Sequence, residues 1–281
     1  MDPLAPYRGH ELDAEAYLKA IAGLAFDDVV WTEAFLSEMR DFLGPWQHNI
    51  RLPHGVHTAY WDRLYPPHQE IMRVVARELG GDFRGKKVLD LGCLDGYFAV
   101  ECALQGAAVT AVDGKVKNLK KCEFVRSALG IEPSRLGLVL DDVMNVSREK
   151  YGGFDGVLVL GLLYHLANPF DFLARMAEIC DGFVLIDTHV ALADDIPRHS
   201  DGWRPELSPL TAFAHAGKSY PGRWFREFAT GTPQVAKDLS VAASLTDDAA
   251  VWLLETSLVE LLHDVGFDFV AKVSFPKSSE T

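Results

Sequence analysis

The run VLDLGCLDGYF over residues 88–98 and Asp113, at the end of the next apolar run, are the residues whose types and spacing most directly imply chemistry. Gly92 and Gly96 let the backbone turn tightly and approach a ligand at the carboxyl end of a strand, where doubly wound sheets bind cofactors. Asp113 lies 21 residues beyond Gly92, where a carboxylate can accept both hydroxyls of a ribose. A nucleoside-containing cofactor follows; the competing reading is that Asp113 only caps the helix beginning near Lys115.

The turn itself narrows the choice of nucleoside. Dinucleotide binding uses GxGxxG with a pyrophosphate resting on the helix N-terminus, whereas this turn reads GCLDG. A carboxylate at Asp95 would oppose a pyrophosphate in a partly buried site. S-adenosylmethionine carries a sulfonium and an ammonium, which Asp90 and Asp95 suit; Asp95 can also be read as a helix N-cap. Asp142, with the following amide of Val143, stands where such folds meet an adenine edge. Asp141 is the adjacent alternative and an exposed turn aspartate the plain one.

A sulfonium donor is already activated, so an acceptor need only be held close and in line, and a base is needed only where the acceptor must lose a proton. Histidine suits that role near neutral pH. Candidates are His165 and His189, just after the fourth and fifth apolar runs, and His48 beside Trp46 in a segment that can cover the site. Each also admits a purely structural, hydrogen-bonded role. Tyr60, Trp61 and Tyr164 can line an acceptor pocket or simply pack.

These residues require a particular scaffold. Short Val/Leu-rich runs at Lys87–Leu91, Ala108–Asp113, Leu136–Leu140, Gly156–Leu160 and Phe183–Thr188 alternate with helical patterns at Gly96–Gln105, Val116–Leu129 and Phe170–Ile179. The pattern predicts an α/β fold, a Rossmann-like doubly wound and mainly parallel sheet. Helices are expected over Glu11–Phe26, over Glu33–Leu43 after a Thr32 N-cap, and over His68–Leu79, with an irregular segment Gly44–Pro67 between the last two. The expected organisation is an N-terminal helical and covering segment (1–80), the core (81–190), an insert after strand five (191–250), and a C-terminal helix Glu255–Val265 and strand Asp268–Phe275 completing the core (251–281). The insert is rich in Pro, Gly, Asp and Ala without long periodicity, as expected of a functional or partly mobile segment. Its Arg198, Arg204, Arg223 and Arg226 either grip an acidic acceptor or decorate a solvated surface, and the surface reading is preferred. All six tryptophans lie outside the core.

The chain has 281 residues, 48% hydrophobic and 24% charged, the balance of a soluble globular protein. Its 27 Lys+Arg against 40 Asp+Glu give a net charge of −13, a field that repels phosphate backbones and anionic membranes. The first 80 residues alone hold twelve acidic and seven basic residues. Nucleic acid is therefore a disfavoured partner. The four cysteines show no CxxC pair or metal-ligand spacing, so reduced thiols, no metal and a cytoplasmic location are expected. The longest apolar stretch is too short to span a bilayer. A homodimer remains open.

The ordered set VLDLGCLDG, Asp113, DDV at 141–143 and FDGVLVLGLLYHLANP at 154–169 resembles the class I S-adenosylmethionine-dependent methyltransferases. WQHNIRLPHGVHT (46–58), LIDTHVA (185–191) and ETSLVELLHDVGF (255–267) further resemble the branch holding the tRNA wobble-uridine carboxymethyltransferases and many bacterial small-molecule methyltransferases. The resemblance implies cofactor contacts at Asp90, Gly92, Cys93, Asp95, Gly96, Asp113, Gly114, Asp142, Val143 and Leu160. The tRNA-modifying members require a carboxylated cofactor and a basic RNA-binding face, whereas this chain is acidic throughout, so a small-molecule acceptor is preferred. A nucleotide-dependent oxidoreductase and a non-catalytic module are the other readings. The family fold ends on a reversed seventh strand, here expected either from residues 191–250 or not at all.

Overall fold

In the computed structural model, residues 2–59, 66–194 and 205–273 are described. Tyr60, Trp61, Arg198, Trp203 and Arg204 lie outside them. Three helices lead in: α1 (Ala14–Ala22), α2 (Glu33–Leu43) and α3 (Pro66–Glu78). α1 is shorter than its apolar pattern because Asp13 caps it, accepting from the Ala16 amide at 2.8 Å, and Gly23 closes it. Thr32 caps α2 as expected, accepting from the Phe35 amide at 3.2 Å.

The core alternates β1 (Lys87–Leu91), α4 (Tyr97–Gln105), β2 (Ala108–Asp113), α5 (Val116–Ala128), β3 (Leu136–Leu140), a short helix α6 (Arg148–Tyr151), β4 (Phe154–Leu160), α7 (Pro169–Ile179) and β5 (Cys180–Asp187). The five strands form one sheet in the order β3-β2-β1-β4-β5, and every adjacent pair is parallel. Both faces are buried at the central strands β1, β2 and β4, as a parallel sheet with crossover helices requires. Val88, Val109, Ala111 and Leu158 face α1–α5, while Leu89, Leu91, Val112, Val157 and Val159 face α7 and the C-terminal elements. The strand order reverses direction of growth at β1 and β4, so the carboxyl ends of these two strands border the crevice in which such folds bind ligands.

Beyond β5 the structure departs from expectation. The insert builds a second, antiparallel sheet of β6 (Thr211–His215), β7 (Lys218–Arg226) and β8 (Ala249–Leu253), with α8 (Gln234–Leu239) between β7 and β8. No seventh strand joins the main sheet among the described residues. The expected strand Asp268–Phe275 is not one over its described part, 268–273; after α9 (Glu255–Asp264) that segment has no strand partner. The small sheet is tied to the core through Trp252, whose indole donates to the Tyr164 carbonyl at 2.9 Å, and through the Val251 amide, which donates to the Leu166 carbonyl at 2.9 Å.

Candidate active site

At the carboxyl ends of β1, β2, β4 and β5 lies a cavity of about 280 Å³, near the lower end of the about 300–1,000 Å³ typical of small-molecule sites. Among the described residues, three buried side-chain polar atoms have no hydrogen-bond partner: Asp90 Oδ2, Asn118 Oδ1 and His165 Nε2. All three residues line this cavity. Leaving such an atom unsatisfied costs about 1–3 kcal/mol, more for charged groups, so their convergence marks a place built for a polar ligand.

The glycine turn shapes the floor. Gly92 (φ 66°) and Leu94 (φ 57°) are left-handed, and a Cβ at Gly92 would meet Leu162 Cδ1 at 3.1 Å. Gly92, Cys93 and Leu94 line the cavity. Gly96 (φ 86°) does not; it starts α4 where a Cβ would strike Cys122 Sγ at 2.8 Å. Asp90 is 3% exposed, and burial pushes its carboxyl up to about 7. Asp113 is also buried, with its carboxyl raised for the same reason. It accepts from the Lys115 amide (2.8 Å), the Leu94 amide (3.0 Å) and, through both oxygens at 3.2 Å, from Asn118 Nδ2. Asp113 is not the N-cap of α5, a position held by Lys115 without a side-chain cap bond; it lines the cavity while holding two loop amides.

Asp95 departs from its assignment. It is fully buried and absent from the cavity lining. Its Oδ2 accepts from the Gln47 and His48 amides, each at 2.9 Å, and its Oδ1 pairs with His48 Nδ1. Burial works to raise this carboxyl, yet the His48 charge and hydrogen bonds hold it below the usual carboxylate range. The pairing fastens the N-terminal segment over the turn and places Gln47 and His48 in the cavity wall. His48 stacks on Tyr97 with ring centroids 5.4 Å apart and lies 4.8 Å from the ring of His68. His68 also lines the cavity, and burial, with the neighbouring His48 charge, brings it down to about 4. Sequence reasoning missed His68; its place at the start of a helix pattern gave no signal.

The opposite wall comes from the insert, whose residues 241–247 line the cavity and press Leu245 onto Gly114, where a Cβ would lie 2.5 Å from Leu245 Cδ2. Both covering segments are clasped to α5 and its N-cap. Lys115 Nζ donates to the Ser240 and Ala243 carbonyls (3.1 Å each) and Lys117 Nζ to the Leu239 carbonyl (3.1 Å). Lys120 Nζ donates to the Leu24 carbonyl (2.6 Å), and Lys121 Nζ to that of Pro45. Arg223 corrects its surface reading: it is 5% exposed and donates to the carbonyls of Leu192, Ala193 and Ser208, stapling the insert together. Arg226 is exposed and pairs with Glu206.

Asp142 and Val143 line the cavity beside Leu160, with Asp142 capping a short turn through the Met144 amide at 2.9 Å. Asp141 is engaged by Lys150, Tyr151 and Asn145 and does not line it. His165 and Tyr164 line it as well. His189 does not; its ring stacks against Trp252 at 4.9 Å and meets Tyr164 at 4.4 Å, one aromatic layer back. Behind His165 stands Glu227, with a 2%-exposed side chain, whose Oε1 is 2.6 Å from His165 Nδ1. Nothing in the low-periodicity insert marked Glu227 in advance.

A family model described as a methyltransferase domain matches residues 60–272. The tRNA U34 carboxymethyltransferase of Pseudomonas paraeruginosa is 33% identical over 119 residues, 40% of this chain and 35% of that protein. The ubiquinone biosynthesis O-methyltransferase of Chromobacterium violaceum is 32% identical over 114 residues, 39% of this chain and 48% of that protein. The chain thus matches between about a third and a half of the length of these curated relatives. The crystal structure of the N-terminal domain of EvdMO1 with SAH bound has a TM-score of 0.61 at 24% identity, covering 85% of this chain and 88% of that one, and shares the fold. With a match across three quarters of its length, the chain belongs to the methyltransferase domain family, and its five-stranded parallel sheet has the fold of that neighbour.

Proposed function

We propose that this protein transfers the methyl group of S-adenosylmethionine to an oxygen or nitrogen of a small-molecule metabolite in the cytoplasm. The observation that carries the reading is the acidity of the cavity. Asp90, Asp113, Asp142, Asp187 and Asp247 line it. Among the described lining residues Lys115 is the single Lys or Arg, and its ammonium is committed to two carbonyls. Such a wall suits a cationic donor and opposes both a carboxylated donor and a phosphate backbone.

The residues fit the donor. Asp90 Oδ2, buried and unpartnered, suits the ammonium; Asp113 with Asn118 Oδ1 suits the ribose hydroxyls; Asp142 and the Val143 amide suit the adenine edge. Bound there, the donor supplies a methyl group on a positively charged sulfur, which leaves as a neutral thioether. The protein's part is to exclude water beneath the two covering segments and to hold the acceptor in line.

Isothermal titration with S-adenosylmethionine, S-adenosylhomocysteine and NADH, followed by transfer of a tritiated methyl group to a metabolite panel and to bulk tRNA, tests the proposal. Binding of the two sulfur compounds alone, with label entering small molecules, is expected. Labelling of tRNA with a steep salt dependence would overturn the acceptor assignment in favour of the activity named for the Pseudomonas relative.

A further inference from the structure

His165 touches the cavity with one edge and Glu227 with the other. Glu227 is the residue after β7, brought under the cavity wall by the small sheet, and its backbone amide donates to the Asp248 carbonyl at 3.0 Å. Its two oxygens serve different elements. Oε1 meets His165 Nδ1 at 2.6 Å, and Oε2 accepts from the Ser244 amide, in the covering loop, at 3.2 Å. Lys115, clasped to the same loop, is the nearby cation. Glu227 itself does not line the cavity.

A carboxylate can only accept, so the ring nitrogen facing it must carry the proton, and the other nitrogen of a neutral imidazole is then a bare lone pair. That other nitrogen is Nε2, buried and without a partner among the described residues. A neutral amine needs no base to attack a sulfonium carbon, because its proton can leave afterwards; a hydroxyl does need one. An oriented, water-shielded lone pair beside the donor site therefore selects for the second kind of acceptor.

We propose that Glu227 is a positioning residue that fixes His165 as the Nδ1–H tautomer, and that the acceptor is a hydroxyl compound whose proton passes to His165 Nε2 as its oxygen takes the methyl group. Before reaction Nε2 is bare and Nδ1–H is donated to Glu227. Afterwards both nitrogens carry protons, the imidazolium is paired with the carboxylate, and the Nε2 proton returns to solvent when the site opens. Because Oε2 also holds Ser244, the base is aligned only while loop 240–247 is closed. This deepens the methyl-transfer reading above and rests on it.

The test uses the full chain labelled with ring-¹⁵N histidine, with S-adenosylhomocysteine as the probe ligand, in the wild type, Glu227→Gln, Glu227→Asp and His165→Gln. The His165 signals, identified by their loss in His165→Gln, should report a protonated Nδ1 and a bare Nε2 at pH 7. Glu227→Gln should give a tautomer mixture and Glu227→Asp should restore the single form, with S-adenosylhomocysteine affinity changed less than tenfold in all three variants. In the tritium assay, label entering hydroxyl metabolites should fall about 100-fold or more in His165→Gln, the usual weight of a general base, and about tenfold in Glu227→Gln. An imidazolium or an Nε2–H form in the wild type, a tautomer indifferent to Glu227→Gln, or hydroxyl labelling indifferent to His165→Gln overturns the proposal. Failure of the wild type to bind S-adenosylhomocysteine would instead overturn the methyltransferase reading beneath it.

Discussion

Asp90→Asn offers the sharpest separation of what the site costs from what it does. The side chain is 3% exposed, and burial lifts its carboxyl from 3.8 to about 7. At 1.36 kcal/mol per tenfold change in acidity, that rise corresponds to about 4 kcal/mol. Because the folded-state value is raised, the folded protein holds the proton more tightly than the unfolded chain. Stability is therefore unaffected by this group below pH 3.8, declines as the pH rises towards about 7, and is fully penalised above it. Asparagine removes the charge while keeping one of the two oxygens. It also places an NH₂ where Oδ2 has no partner, returning about 1–3 kcal/mol of that gain. The variant should thus be more stable than the wild type by about 1–3 kcal/mol at pH 8 and not at pH 4, in urea unfolding followed by circular dichroism. It should also bind S-adenosylmethionine at least tenfold more weakly by titration calorimetry. Equal or lower stability at pH 8 would refute the claim that an uncompensated buried charge awaits a cation there, and unchanged affinity would refute the claim that the cation is the donor's.

Asp95→Asn should destabilise by about 3 kcal/mol, the scale of leaving a buried partner uncompensated. The folded-state value is lowered, so the loss should be full at pH 7 and fade as the pH falls through that value; urea unfolding at pH 7 and pH 3 reads it, and faster cleavage near residues 44–57 by limited proteolysis should accompany it. Gly96→Ala forces alanine to a φ of 86° with its Cβ 2.8 Å from Cys122 Sγ; left-handed strain and overpacking together cost about 2–5 kcal/mol, visible as a fall in Tm with loss of S-adenosylhomocysteine binding. Arg223→Met removes a buried guanidinium bound to three carbonyls, each such bond being worth about 1.5–3 kcal/mol; a lower Tm and early proteolysis within 191–250 should result, whereas an unchanged melt would restore the surface reading.

The core was legible because its signals are local. Apolar runs alternating with 3.6-residue periodicity fix β1 to β5 and α4, α5 and α7 within a few residues, and Gly92 with Asp113 announces the crevice they border. Asp95 misled because its role is decided by residues 47 and 48 positions upstream: the sequence places a carboxylate in a turn, and nothing local says that Gln47 and His48 fold onto it. Glu227 and the small sheet were hidden for a related reason. β7 carries Pro221 and Gly222 and alternates burial only partly, so its pattern is weak until β6 and β8 lie beside it. The opposite error falls at 268–273, where apolar alternation alone does not make a strand: the segment pairs with neither sheet.

The lysines of α5 and its N-cap bear on how such an enzyme can change its substrate. They hold residues 24, 45, 239, 240 and 243 by main-chain oxygens, atoms every amino acid supplies. The clasp therefore reads where the covering segments run and not what side chains they carry. Residues 241–247 can be rewritten to fit a new acceptor while the anchorage stays, which makes that heptapeptide the first place to randomise in redirecting the enzyme and α5 the last.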